Sequence, residues 1–414
     1  MSESHEQGWL ASFLKRYRNE VGLVIAIVAV VSFTTAMDPA YREKPWQNAT
    51  ELLRQVSMVG IFALGAALVI IAGGIDLSSG SVIAFSGAIC ASLMLALAPV
   101  DDQGHAVVQS ISTQILVLAI LGTLAVGFLI GTLHAWLITV IGLPPFVATL
   151  ASLVGLRSLA RVLVPAVSMV YTGNDTKQLY VYDDTFRQLG STWWIPLLIF
   201  AILAVAMWVL LSKTVVGRHL YAMGGNEQAA RLSGIRTDRL KWLAYAIGAM
   251  TASLAGILYC AYVATADPEK VGRGYELTAI AAAVVGGCSL QGGIGTVQGV
   301  VLGVLFLRVV IDAVAKLIKG GTADDFEGMI VGLLVVLAVA FNELRQSGGR
   351  RQEFFPGVLG LMTMLILTVG AGMMATLTIS ARAGWITAVL AAVVVIAVRV
   401  LESRRRTSDR TSSG

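Results

Sequence analysis

The chain has 414 residues, of which 56% are hydrophobic and 13% charged, and its formal net charge is +5. A soluble domain carries roughly 45–50% apolar and about 25% charged residues, so this composition excludes an ordinary water-soluble globular protein and points to lipid as the solvent. The positive balance does not point to nucleic acid, because the lysines and arginines sit at the ends of apolar runs, the pattern of membrane topology rather than of a basic patch.

An α-helix needs about 20 apolar residues to cross the hydrocarbon core. Such runs predict spans near 21–37, 56–75, 80–98, 114–140, 145–164, 193–211, 242–264, 276–291, 294–318 and 326–342, with two more near 356–379 and 384–401. The fold class is therefore all-α: a polytopic transmembrane helical bundle of about ten core spans with broken helices, plus two extra C-terminal spans. The chain divides into an N-terminal segment 1–20, a transmembrane core 21–342 with an inner loop 212–241, a linker 343–355, a two-span hairpin 356–401 and a polar tail 402–414 expected to be disordered.

The polar start ends in Lys15-Arg16-Tyr17-Arg18, and the run Val21 to Met37 has no small-residue cleavage site behind it, so it reads as a retained first span. Basic flanks set orientation. Lys15, Arg16 and Arg18 place the N-terminus inside. Lys213, Arg218, Arg231, Arg236, Arg239 and Lys241 do the same for 212–241, and Arg404, Arg405, Arg406 and Arg410 for the C-terminus. Asp101, Asp102, Asp175, Asp183 and Asp184 fall in outer loops. The mixed segment 38–55 is expected to lie flat at the interface before the second span.

Between the second and third spans stands Gly73-Gly74-Ile75-Asp76-Leu77-Ser78-Ser79-Gly80-Ser81. Glycines let a membrane helix break, and the freed backbone groups must then be satisfied in protein or in a watered cavity. Two readings stay open for Asp76, Ser78 and Gly80: a plain turn with a helix cap, or a broken-helix element beside a pathway, where a carboxylate near membrane depth is costly unless used. His134 in the fourth span reads as a helix–helix hydrogen bonder. Arg157 and Arg161, four apart, share a face of the fifth span and either snorkel to an interface or line the interior.

The inner loop contains Gly224-Gly225-Asn226-Glu227-Gln228-Ala229-Ala230-Arg231-Leu232-Ser233-Gly234-Ile235. Asn226 can N-cap a short helix whose first turn holds Glu227, and Gly234 can end it. Such a helix offers either a docking knob for a partner or a solvated surface helix. A second glycine-rich break follows at Gly286-Gly287-Cys288-Ser289-Leu290-Gln291-Gly292-Gly293-Ile294-Gly295. Like the first break it lies where an inward-going span ends, which suggests two related halves. It lacks the Gly-Lys-Ser/Thr ending of a phosphate loop, so the chain is not expected to bind or hydrolyse ATP. Cys90, Cys260 and Cys288 read as packing residues. The four histidines show no metal spacing, and no catalytic set is present.

The Gly74–Ser81 string, the Gly224–Ile235 string and Gly274-Tyr275-Glu276-Leu277-Thr278-Ala279-Ile280-Ala281-Ala282 with the 286–295 run together resemble the permease subunits of ribose- and xylose-type ABC sugar importers, over about residues 20–342. The resemblance implies a monosaccharide permease of the cell inner membrane that works as a homodimer or pseudodimer. The basic flanks place both termini in the cytoplasm, and the chain is expected to contact membrane lipid but not nucleic acid. It implies a separate ABC ATPase that consumes the ATP, docked on Gly225, Asn226, Glu227, Ala229, Ala230, Arg231 and Gly234, and a periplasmic or lipid-anchored sugar-binding protein. Asp76, Ser78, Gly80, Gly286, Gly287, Gly292 and Gly293 remain the pathway candidates. The sequence departs from the resemblance at His134, where such permeases tend to carry asparagine, and in its added C-terminal spans. The alternatives are an ABC permease for branched-chain amino acids or nucleosides and an ion-coupled secondary transporter, for which Asp76, Glu276 and Asp312 are the few candidate carboxylates.

Overall fold

A computed structural model of the protein describes residues 18–102, 105–109, 111–317, 323–346, 357–378 and 380–412. The basic residues Lys15 and Arg16 and the greater part of the linker 343–355 lie outside these. Among the described residues eight helices are long and apolar enough to cross a membrane, and shorter apolar helices accompany them.

Helix ends follow local chemistry. After α1 (Arg18–Met37) and the short α2 (Pro39–Glu43), Pro45 opens α3 (Pro45–Ile71), where its missing N–H costs nothing. The expected interfacial segment 38–55 is therefore corrected: its second half is the first three turns of α3, because nothing after Pro45 breaks the helix. Helices α4 (Ser79–Leu97) and α5 (Thr113–Thr139) follow, the latter capped by the Ser112 hydroxyl. Next comes α6 (Pro145–Thr172), which opens on proline and closes at Gly173 in the left-handed conformation. A two-residue strand β1 (Leu179–Tyr180) and α7 (Asp184–Ser191) precede α8 (Trp194–Lys213). Asp183 is buried and caps α7 through Phe186 N at 2.8 Å while also accepting from Ile111 N at 2.9 Å.

The predicted inner loop is mostly helical: α9 (Val215–Gly225) and α10 (Glu227–Leu232) lead into α11 (Thr237–Val263). Strand β2 (Thr265–Ala266) pairs antiparallel with β1. The expected span 276–291 is corrected. Its helix, α12, covers only Tyr275–Val285, 11 residues, or about 16 Å at 1.5 Å per residue, roughly half the hydrocarbon core. The left-handed Gly274 precedes it and the 286–295 glycines end it. Helix α13 (Val297–Leu317) carries Arg308 and Lys316, paired with Glu327 at 3.2 Å and Asp312 at 3.0 Å, and α14 spans Ala323–Gln346.

The core is built around α3, in which every residue from Val56 to Ile71 is buried, and α11, which packs against α3, α4 and α5. By contrast α1, α5, α6 and α8 expose large apolar side chains such as Ile25, Leu129, Val162 and Ile202, a face suited to hydrocarbon. Cys90, Cys260 and Cys288 are buried and unpaired.

The described residues from Phe341 onward belong to a second compact unit. In it α15 (Gly357–Thr378) and α16 (Ala381–Ser412) pack as a hairpin. A side chain on Gly372 would strike Ala388 at 2.8 Å, so small residues set the helix spacing. The tail expected to be disordered from 402 is helical through Ser412, since Leu, Glu and Arg after Val400 are good helix formers and no glycine or proline intervenes.

Candidate functional site

Three sequence-marked segments define the site. The first break joins α3 to α4. Here Asp76 Oδ1 accepts from Ser78 N at 2.8 Å and from Ser78 Oγ at 2.6 Å, with Asp76 only 4% exposed. The carboxylate thus closes a tight turn rather than capping α4 directly. Its neighbours are held from outside the turn. Thr149 Oγ1 on α6 accepts from Leu77 N at 3.1 Å, and Tyr245 on α11 donates to Ile75 O at 3.4 Å. Backbone groups freed by the helix break therefore find protein partners, as burial away from water demands.

His134 on α5 and Ser152 on α6 are joined by a 2.7 Å hydrogen bond, while His134 Nδ1 is buried without a partner. The ring meets Tyr245 edge to face at 6.3 Å. The helix–helix reading of His134 holds. His134→Leu leaves Ser152 unpaired and should destabilise the detergent-solubilised protein by about 1 kcal/mol, whereas His134→Asn keeps a polar partner and should recover part of it. Equal thermal midpoints for His134→Leu and the parent would refute this.

Arg157 serves the interior. Its guanidinium donates to Pro268 O and Val271 O, each at 3.1 Å, and to Gly272 O at 2.8 Å. This pins the chain between β2 and α12 against the middle of α6. Gly80 faces the same place: a side chain there would strike Gly272 O and Glu276 Oε2, and that buried oxygen has no hydrogen-bond partner. Arg161 is exposed.

The helix α10 is N-capped by Asn226, whose Oδ1 accepts from Ala229 N at 2.9 Å, and Gly234 follows it at φ +83°. Glu227 pairs with Lys241 at 2.7 Å and with Arg231 at 3.6 Å, and Arg231 reaches Asp238 at 3.1 Å. These contacts seat α10 on the start of α11. Ala230 is buried beneath it, while Gly225, Asn226, Ala229, Arg231 and Gly234 are exposed, as is Leu232 at 90%. Arg231, Arg236 and Arg239 line an open groove of about 400 Å³ alongside.

The second break, 286–295, folds on itself through Ser289 N to Ile294 O and Gly292 N to Ser289 O, both 3.0 Å. Gly286 lies at the close approach of α12 to α13, where a side chain would strike Gly299. Gly287 stands nearby at φ +94°. Gly292 and Gly293 touch the α9–α10 segment. Tyr221 on α9 donates to Gly295 O at 2.8 Å. Burial, with Cys288 beside it, raises the Tyr221 phenol above its usual range, so it stays a neutral donor. Burial also pushes the Cys288 thiol up to about 12. The structure thus joins Gly292 and Gly293 to the α10 segment and leaves Gly80 at the opposite end of α12. Gly224, Tyr221 and Thr149 were not marked as site residues by sequence reasoning, because nothing local distinguishes them.

Residues 48–339 match the family described as branched-chain amino acid transport system / permease component. The chain belongs to this family. The match ends before α15, so the C-terminal hairpin lies beyond it. This permease is 33% identical over 335 residues to the ribose import permease of Escherichia coli (strain K12), covering 81% of this chain and 97% of the relative. It is 31% identical over 332 residues to the ribose import permease of Bacillus subtilis (strain 168), covering 79% and 94%. To the galactose/methyl galactoside import permease of Escherichia coli (strain K12) it is 31% identical over 342 residues, covering 81% and 97%. No solved structure matches.

Proposed function

We propose that this chain is the transmembrane permease subunit of an ATP-driven importer that carries a monosaccharide across the cell inner membrane. The similarity to ribose and galactose import permeases over about four fifths of the chain carries this reading. The family description names branched-chain amino acids. Sugar is preferred because the relatives quoted above are sugar import permeases.

A separate ATPase subunit docks on α10. The exposed Leu232 and the arginine-lined groove beside it suit a partner with an apolar socket rimmed by carboxylates. A sugar-binding protein delivers the substrate at the other end of the bundle, where the β1–β2 pair lies, and a second copy completes the pathway. The basic flanks of the spans support cytoplasmic N- and C-termini. ATP is consumed by the partner. Displacement of the docking arm tilts the helices and exchanges outward- and inward-facing states.

Proteoliposomes holding the permease, its ATPase and its binding protein test this. Uptake of ribose or galactose should require both ATP and the binding protein. Uptake of leucine in preference to sugar would overturn the substrate class, and uptake driven by an ion gradient without ATP would overturn the importer class.

A further inference from the structure

Glycines from three distant parts of the chain meet at the end of the bundle that carries α10. They are Gly73 after α3, Gly224 and Gly225 at the end of α9, and Gly292 and Gly293 in the second break. A Cβ on Gly224 would overlap Ile71 O and lie 2.5 Å from Gly293 N. One on Gly292 would lie 2.6 Å from Gly224 O and 2.7 Å from Gly73 Cα. The obstructing atoms are all backbone, so no rotamer change relieves them. Hydrogen bonds cross the same junction, from Gly293 N to Ile71 O at 2.9 Å and from Tyr221 to Gly295 O at 2.8 Å. At Gly224 the arm α9–α10 therefore meets the end of α3 and the second break main chain to main chain, with the Tyr221 hydrogen bond as a side-chain tie beside it. Such main-chain packing does not compress and has no slack to absorb a displacement.

We propose that Gly224 is a positioning residue that couples the arm α9–α10 to both helix breaks, so that one movement of the arm carries the end of α3 and the 286–295 loop together. This rests on the reading of α10 as the ATPase docking site. A methyl group at Gly224 wedges the three backbones apart while leaving the exposed face of α10 untouched. Motor engagement then survives and transmission fails.

The test uses the complete importer in proteoliposomes. Gly224→Ala should retain the ATPase subunit on co-purification, while the ATP hydrolysed per sugar transported rises by about tenfold, within the usual range of site-to-site coupling. Gly155→Ala, where a Cβ meets nothing within 4 Å, should keep the parental ratio. A fold defect would lower hydrolysis and uptake together and leave the ratio unchanged. A second measurement avoids Gly224 altogether, with spin labels on cysteines at Ala222, exposed on α9, and Gln291, compared with Ala222 and Ile141. The first separation should stay constant between nucleotide-free and ATP states, and the second should change. A parental ratio at parental uptake in Gly224→Ala, a nucleotide-dependent first separation, or no change in the second overturns the proposal. Failure of the parent chain to retain the ATPase overturns the docking reading instead.

Discussion

Arg157→Leu should abolish uptake at normal membrane levels and release the segment between β2 and α12. Arg157 stands in the middle of α6, and its guanidinium holds Pro268 O, Val271 O and Gly272 O. Charged donors to buried carbonyls are among the stronger hydrogen bonds, and a carbonyl left unpaired costs on the order of 1–3 kcal/mol. Three such losses exceed what a marginally stable segment tolerates. The short helix α12 would lose its seat, because Gly272 and Gly274 directly precede it. Arg157→Lys should rescue only in part, since an ammonium is a point charge and cannot fork between three acceptors. Hydrogen exchange across 267–274 and uptake together check this. Parental exchange and parental uptake in Arg157→Leu would refute the clamp.

Glu227→Lys should eliminate co-purification of the ATPase and lower uptake by more than about tenfold, with little change in thermal stability. The partly exposed pairs of Glu227 with Lys241 and Arg231 are worth only about 1 kcal/mol each, so the fold survives their loss. Their orienting role does not survive, because a lysine at 227 repels Lys241 and Arg231 and lifts α10 from the start of α11. The exchange Glu227→Lys with Lys241→Glu restores opposite charges across the contact and should recover docking. Pull-down of the ATPase and melting curves separate the two effects. Normal co-purification of the single variant would remove α10 from the docking role.

Parts of this picture were legible in the chain itself. Asn226 as a helix cap, Gly234 as a helix end and the glycine-marked interruptions at 73–81 and 286–295 follow from backbone preferences acting over a few residues. The half-length α12 was misread as a full span because apolar residues continue through Leu290, and hydropathy does not register that left-handed glycines stop the helix at Val285. Likewise α3 starts eleven residues early because a polar stretch can stay helical when it packs. Tyr262 takes Arg54 by a hydrogen bond at 3.1 Å, a partner 208 positions away in sequence that no local pattern announces.

By itself, then, the sequence determined that the protein is a membrane helical bundle, where its helices break and where a capped knob lies between them, because composition, periodicity and capping are local. Only the tertiary structure decided that Arg157 clamps a segment more than a hundred residues away, that His134 pairs with Ser152, and that glycines from three segments meet at Gly224. Those outcomes depend on which surfaces approach when the helices pack. A glycine has no side chain through which its neighbours in space could leave a trace in the sequence.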